Sequence, residues 1–494
     1  MNVSARSVVV LLIAIATACG AGRVLSAQRL YEPTMHRSDL EGDRRSLWPK
    51  ATPRPMPTFS SNDRARWATV RSLVDHGTYV VGTRQIRAEE PGYKDTGILF
   101  EDGWQTIDRV LHPDTLEFYS SKPPLLSTLV AGLYWLLHAA FGWSLANDPF
   151  AVVRTILLFI NILPFAIYLL VLDRWVARFA RTDWTRITVM AAAAFGTTMT
   201  PFLITFNNHT LGTVSVLFAL DGVLSLWMGT AKRPWLAFVQ AGFFASFAAT
   251  NELPALAFTA AVLGLLCLCS VARTLAFAAP PMLLVAFAFF GTNYLAVGQW
   301  RPAYSEFGSI WYEYPGSHWK KPAAGEIKYG IDWARMHESR AEYALHVLVG
   351  HHGLFSLTPI WLLAIAGAVV VCVRSRRAND LAEPNSEQAW NIPWFLGPLT
   401  LALTAVVIAF YLFKSDNYGG FSNGLRWLMW LSPLWLLTMI PTVDWFAKCP
   451  RGRAFVIVLL AVSVMSAHYS LWNPWRHPWI FDVMRAYGWS GYGI

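Results

Sequence analysis

The feature that most constrains this chain is a succession of apolar runs. They fall at about 7–19, 123–142, 150–172, 187–206, 209–228, 235–250, 253–272, 275–297, 354–373, 393–413, 426–446 and 454–471. Most approach the ~20 residues that an α-helix needs to cross a hydrocarbon core. Within lipid every backbone amide must find its partner inside the protein, which leaves helices or closed barrels, and runs of this length select helices. Only 14% of the residues are charged, where soluble chains carry about a quarter. The sequence therefore predicts an all-α, polytopic membrane protein with 11–13 transmembrane helices. No fixed-period repeat is evident, nor the paired broken segments of a secondary transporter.

The charges sort the loops. The net charge of +9 would suit a nucleic-acid partner, but the cations do not form a patch. They lie in short connections: Arg174, Arg178, Arg181 and Arg186; Lys232 and Arg233; Arg374, Arg376 and Arg377; Lys448, Arg451 and Arg453. That is the positive-inside pattern, so these connections read as cytoplasmic and no nucleic acid is expected. The 24 tryptophans and 17 tyrosines suit belts at the membrane surfaces. The five cysteines (Cys19, Cys267, Cys269, Cys372 and Cys449) lie in or beside apolar runs and show no disulfide framework or zinc spacing.

Orientation raises a conflict of parity. With the basic loops inside, alternation puts Asn207 to His209, Asn251-Glu252, the loop 298–352 and 414–424 outside. If the loop 21–121 is also outside, one crossing fits between Lys122 and Arg174, yet two apolar runs lie there. Either one run dips in without crossing or the first loop lies on the other side.

The outer loops carry the chemistry. Around Trp48 to Pro57 the first loop is proline-rich and reads as extended. Residues 62–77 read as an amphipathic helix along the membrane surface, capped by Asn62 and ended by Gly77, with Trp67, Val70 and Val74 on one face. Asp63 in its first turn is either a helix-dipole acid or a functional one. The loop closes at Tyr119-Ser120-Ser121-Lys122-Pro123-Pro124, which leaves Lys122 at the lip of an apolar run behind two prolines. A lysine there either snorkels to the interface or holds the phosphate of a lipid. Glu252, between two apolar runs, is a functional acid or part of a solvated turn, and His209, opening a helix, is an interface residue or a ligand. Asp416 to Arg426 forms a further polar mouth. Tyr304, Glu306, Trp311, Tyr312, Tyr314 and Trp319 of the loop 298–352 suit a sugar or the headgroup layer. His351 and His352 are adjacent. Neighbouring histidines on a helix diverge and no third ligand stands out, so no metal site is expected.

Three motifs combine into a resemblance. They are Arg64-x-Arg66-Trp67-Ala68-Thr69-Val70-Arg71 through Gly77-Thr78 with the later Lys122-Pro123-Pro124; Gly350-His351-His352-Gly353-Leu354-Phe355-Ser356-Leu357-Thr358-Pro359; and Tyr418-Gly419-Gly420-Phe421-Ser422-Asn423-Gly424-Leu425-Arg426-Trp427. From about residue 60 to 440 the chain resembles bacterial integral-membrane glycosyltransferases of the GT-C fold, the group that includes the protein O-mannosyltransferases and the lipid A aminoarabinose transferase. The resemblance implies transfer of a sugar, with inversion, from a polyprenyl-phosphate donor to an acceptor hydroxyl on a lipid, glycan or protein. It implies a bacterial inner membrane, an extracytoplasmic site and no cofactor beyond the lipid-linked sugar. Asp63 is the match to the family's catalytic acid, with Glu252 as a second carboxylate. Lys122 is the match to its phosphate-holding lysine, and Arg426, His209, Tyr119 and His352 complete the expected substrate-facing set. The chain departs from the family pattern in having Ser121 where Asp or His is usual, and in a long polar insertion before Asp63; Asp95, Asp102 and Asp108 are rival acids. The family also favours reading 1–20 as a first span over a cleaved signal. The expected division is then a loop over 21–121, a membrane core over 122–297, a second loop over 298–352 and further spans over 353–494. The competing class is a lipid or sugar transporter or flippase, which would place its ionisable residues along a path at mid-membrane.

Overall fold

Helices dominate the structure, a computed structural model that describes residues 4–29, 55–86, 92–306, 308–380, 392–415 and 417–489. Asp416, the side chains of Tyr304 and Glu306, and most of the proline-rich stretch lie outside the described residues. Among the described residues, seven helices are long and apolar enough to cross a membrane: Ala5–Ser26, Pro124–Phe141, Pro149–Phe179, Asn208–Trp227, Leu253–Val297, Leu396–Lys414 and Pro450–Tyr469. Pro234–Asn251 and Trp361–Asp380 pack among them. The longest of the seven is a hairpin. Its backbone leaves helical geometry at Ser270 (φ −173°, ψ 111°). On one arm Thr259 donates to the Ala245 carbonyl at 2.7 Å, and on the other Phe277 lies 6.3 Å from the Trp235 ring, so both arms run along Pro234–Asn251.

Side-chain contacts divide the bundle into two ends. At one end the basic loops meet: the Arg181 amide donates to Asp444 at 3.2 Å, the Trp227 and Trp394 rings lie 6.2 Å apart, and Arg453 sits 6.0 Å from the Trp184 ring. At the other end lie the first loop, the starts of the Asn208–Trp227 and Leu253–Val297 helices, and Arg426. The parity conflict resolves here. The Pro124–Phe141 helix is long enough to cross but lies beside Ser61–Asp75, with Tyr134 donating to Asp75 at 2.8 Å and accepting from the Leu145 amide at 2.9 Å. The next helix begins at the same end, where Arg154 donates to the Ala27 carbonyl at 2.9 Å. One crossing, Pro149–Phe179, therefore joins Lys122 to Arg174.

Two features of the first loop differ from expectation. The predicted surface helix forms at Ser61–Asp75, but its N-cap is Ser60, whose hydroxyl accepts from the Asp63 amide at 3.1 Å, while Gly77 follows with φ +68°. It is not an interfacial helix with a wet polar face: Asp63, Arg66, Trp67, Val70 and Arg71 are all buried. Its polar side chains face partners inside the protein, so alternating polarity does not mark a solvent face. The loop also holds a four-stranded antiparallel sheet in the order β2-β1-β4-β3, from β1 (Gly82–Ile86), β2 (Tyr93–Thr96), β3 (Arg109–Leu111) and β4 (Glu117–Ser120). Strands this short leave little trace of period-two patterning.

Candidate functional site

The sheet register builds the first part of the site. Arg109 pairs with Ser120 across β3 and β4, and the Ser121 amide continues the ladder to the Asp108 carbonyl at 3.1 Å. The residues just beyond the two strand ends are thereby brought together, and Lys122 Nζ meets Asp108 Oδ1 at 2.8 Å. Pro123 and Pro124 then start the next helix, so Lys122 cannot follow the strand away from this position. Its side chain remains 21% exposed and Asp108 11%. Burial lowers the lysine pKa, and the Asp108 charge opposes that shift.

Arg426 arrives from the far end of the chain. Gly419 and Gly420 have φ +90° and +68°, a region open to glycine, and a Cβ on Gly419 would stand 2.9 Å from the Arg426 guanidinium. The turn they make brings the Gly419 carbonyl to Arg426 Nη1. Arg426 Nε donates to His209 Nε2 at 2.9 Å. An arginine has only protons to give, so Nε2 carries the lone pair and Nδ1 the proton. That Nδ1–H points at Glu252 Oε1, which also accepts from Asn208 at 2.9 Å. Trp475 covers the guanidinium at 4.7 Å. Glu252 and His209 thus orient Arg426 from behind.

Lys122, Asp108 and Arg426 line one cavity of about 440 Å³, walled also by Asn62, Arg64, Asp332 and the rings of Tyr312, Trp319, Phe421, Trp427 and Trp475. Aromatic faces with a few convergent charges suit a ligand with apolar and anionic parts. The other expected residues stand elsewhere. Asp63 is fully buried behind the wall, its two oxygens taking the Phe59 and Phe206 amides at 2.9 and 3.0 Å. Burial pushes its carboxyl up to about 7 against the pull of those amides. Glu252 and His209 lie behind Arg426 and are not on the lining. Tyr119 donates to Glu117 at 2.7 Å and faces a separate small cleft that it shares with Lys122 and Asn293. His352 belongs to a buried cluster with His351 and Tyr418. Of the rival acids, Asp95 is held by Arg84 through two 2.8 Å bonds on the sheet, whereas Asp108 faces the cavity.

Sequence reasoning passed over Arg64, Asp332, Asn473 and Trp475, all of which line the cavity. The one available signal for the last two was the tryptophan-rich Leu471-Trp472-Asn473-Pro474-Trp475 segment after the final apolar run.

Against known proteins, no family model matches the chain, and no curated protein matches it. Two solved structures, both of the Archaeoglobus fulgidus oligosaccharyltransferase, are similar. The apo form aligns with TM-score 0.51 at 11% identity over 94% of this chain and 56% of that one. The form in complex with Zn and sulfate aligns with TM-score 0.44 at 12% identity over 94% and 53%. The chain spans about half the length of that protein. At this identity the likeness speaks to the fold alone: a polytopic helical membrane architecture shared with that protein.

Proposed function

We propose that the chain is a membrane glycosyltransferase that moves a sugar from a polyprenyl-phosphate donor to an acceptor hydroxyl at the extracytoplasmic surface. The observation that carries this is the meeting of Lys122, Arg426 and Asp108 on one aromatic-walled cavity at the end of the bundle away from the basic loops. The fold shared with an oligosaccharyltransferase supports the same reading.

The chemistry follows from the charges. As the sugar C1–O bond breaks, negative charge grows on the leaving phosphate, and fixed cations stabilise it most where water is scarce. Lys122 and Arg426 are those cations, and the fork of Arg426 suits phosphate oxygens. The acceptor hydroxyl must lose its proton to a carboxylate as its oxygen bonds C1 from the opposite face, which inverts that centre. Asp108 is the base that geometry favours, since it lines the cavity, whereas both Asp63 oxygens are taken by backbone amides and Glu252 sits behind Arg426, off the lining. In the resting chain Asp108 is tied to Lys122. A lipid phosphate that takes the ammonium releases the carboxylate, so donor binding readies the base. Asp63 then acts by fixing the Phe59 backbone at the cavity edge to Phe206.

The test is incubation of the purified chain with labelled polyprenyl-phosphate sugars and bacterial envelope fractions, alongside binding of unglycosylated polyprenyl phosphate. Asp108→Asn should keep phosphate binding and lose transfer. Lys122→Ala should lose both. If Asp63→Asn abolishes transfer while Asp108→Asn remains active, the base is Asp63. If no lipid-phosphate sugar is consumed and polyprenyl phosphate does not bind, the glycosyltransferase reading fails.

A further inference from the structure

Beside the cavity, on the far face of the Tyr418–Gly420 turn, the structure gathers four histidines that the proposed transfer does not use. The His346 and His351 rings stack 4.0 Å apart, His351 Nδ1 faces His352 Nδ1 at 2.5 Å, and His477 lies 5.8 Å from His352. Tyr418 lies flat against His352 at 5.0 Å and donates its hydroxyl to Glu338 at 2.6 Å. Both sequence arguments against a metal here lose their footing. His351 and His352 sit in a turn between helices, not on one, and their nitrogens converge. Further ligands are at hand, because ligating atoms of Glu338, His346 and His351 lie within 4.8 Å of one another. Buried nitrogens point to a missing partner: His346 Nδ1 and His352 Nε2 have no hydrogen bond, and His352 is completely buried.

We propose that Glu338, His346 and His351 hold a zinc-type transition-metal dication, with His352 packed beside them. Imidazole nitrogens with one carboxylate match zinc and its neighbours, whereas calcium and magnesium take oxygen ligands. Tetrahedral bonds of about 2.0–2.1 Å set ligand atoms about 3.3 Å apart, so the three side chains draw inward on binding. Glu338 and His346 flank the start and end of a short helix, Arg340–Leu348, and His351 follows it in a turn, which lets them close without moving a membrane helix. The ion would clamp the second outer loop onto Tyr418. The next residue is Gly419, whose carbonyl holds Arg426, so metal occupancy would set how firmly that cation is presented to the cavity.

The experiment uses the full chain, freed of any affinity tag, stripped with chelator in detergent and titrated with Co²⁺. One Co²⁺ per chain should bind, with visible absorption bands of a low-coordinate nitrogen and oxygen site, and Zn²⁺ should displace it and raise Tm. Glu338→Gln combined with His346→Gln should remove the bands and the Tm rise, while His468→Ala, whose ring faces the Val464 carbonyl and Phe195 instead, keeps both. If the double variant does not fold, the wild-type chain still decides the matter: bound Zn²⁺ should shield the partly exposed His346 from diethyl pyrocarbonate, read by mass spectrometry. Absence of a stoichiometric Co²⁺ signal, binding undiminished in the double variant, or an unshielded His346 would overturn the proposal. These readouts do not depend on transferase activity.

Discussion

Both ends of the bundle bury charged side chains, but they finish them differently. At the basic end the pairs are closed. Asp173 receives two bonds from Arg186 at 2.8 and 2.6 Å, and Asp221 is taken by Arg174, by the Trp175 indole at 2.7 Å and by Gln240 at 2.9 Å. At the other end the cations stop at a cavity wall: Lys122 has one carboxylate oxygen at 2.8 Å, and Arg426 is held from behind by a histidine and a carbonyl while its guanidinium lines the open space. Closed pairs hold helices together. Cations held from one side and open on the other are what an anionic ligand needs, and keeping them buried without one costs stability that a structural role alone would not justify.

The largest expected effect would break this contrast outright. If Lys122 works on the leaving phosphate, Lys122→Ala should lower turnover by roughly 10²–10³-fold, the scale of removing one transition-state donor. Near-normal turnover would make Lys122 no different from the closed pairs. Next comes Asp63, whose folded-state carboxyl is raised to about 7 by burial. A raised acid favours the protonated native state, so stability is fullest at low pH and falls as pH climbs from the unfolded value toward 7. Between pH 5 and 8 the loss should be about 2–3 kcal/mol, read as a falling Tm in detergent. Asp63→Asn should flatten that dependence, and a flat wild-type profile would show the carboxyl to be ionised in the fold. Smaller again is Glu252→Gln. It leaves an acceptor for Asn208 but removes the charge that orients His209 toward Arg426, so about tenfold in transfer is expected, seen in kcat at saturating donor. A kcat equal to that of the wild type would reduce the relay to packing.

The membrane architecture could be read from the chain because apolar length is a local property: runs such as 209–228 and 454–471 correspond to the helices Asn208–Trp227 and Pro450–Tyr469. That the basic loops gather at one end was legible from their charge. Lys122 and Arg426 stood out because each is a lone cation at an apolar border. What stayed hidden depends on pairing across distance. Asp108 is one acid among several in a polar loop until the β3–β4 register sets it against Lys122. Composition could not separate Pro124–Phe141 from a crossing helix, because lying along Ser61–Asp75 takes the same apolar residues as lying in lipid. Asp63 was legible as an acid in a helix first turn, but its two amide donors come from Phe59 and Phe206, the second from a distant turn.

The smallest prediction tests the closed end on its own terms. The Arg186 and Asp173 side chains are 18% and 19% exposed, so water screens part of their attraction. Arg186→Ala should cost about 1 kcal/mol of stability, seen as a small fall in Tm, with transfer unchanged at a temperature where the variant is folded. Because Asp173 and Arg186 flank the turn into Asp183–Phe195, a loss of transfer without a fall in Tm would mean that this turn communicates with the cavity. The two ends would then be one mechanism, and the distinction between closed and open pairs would no longer locate the site.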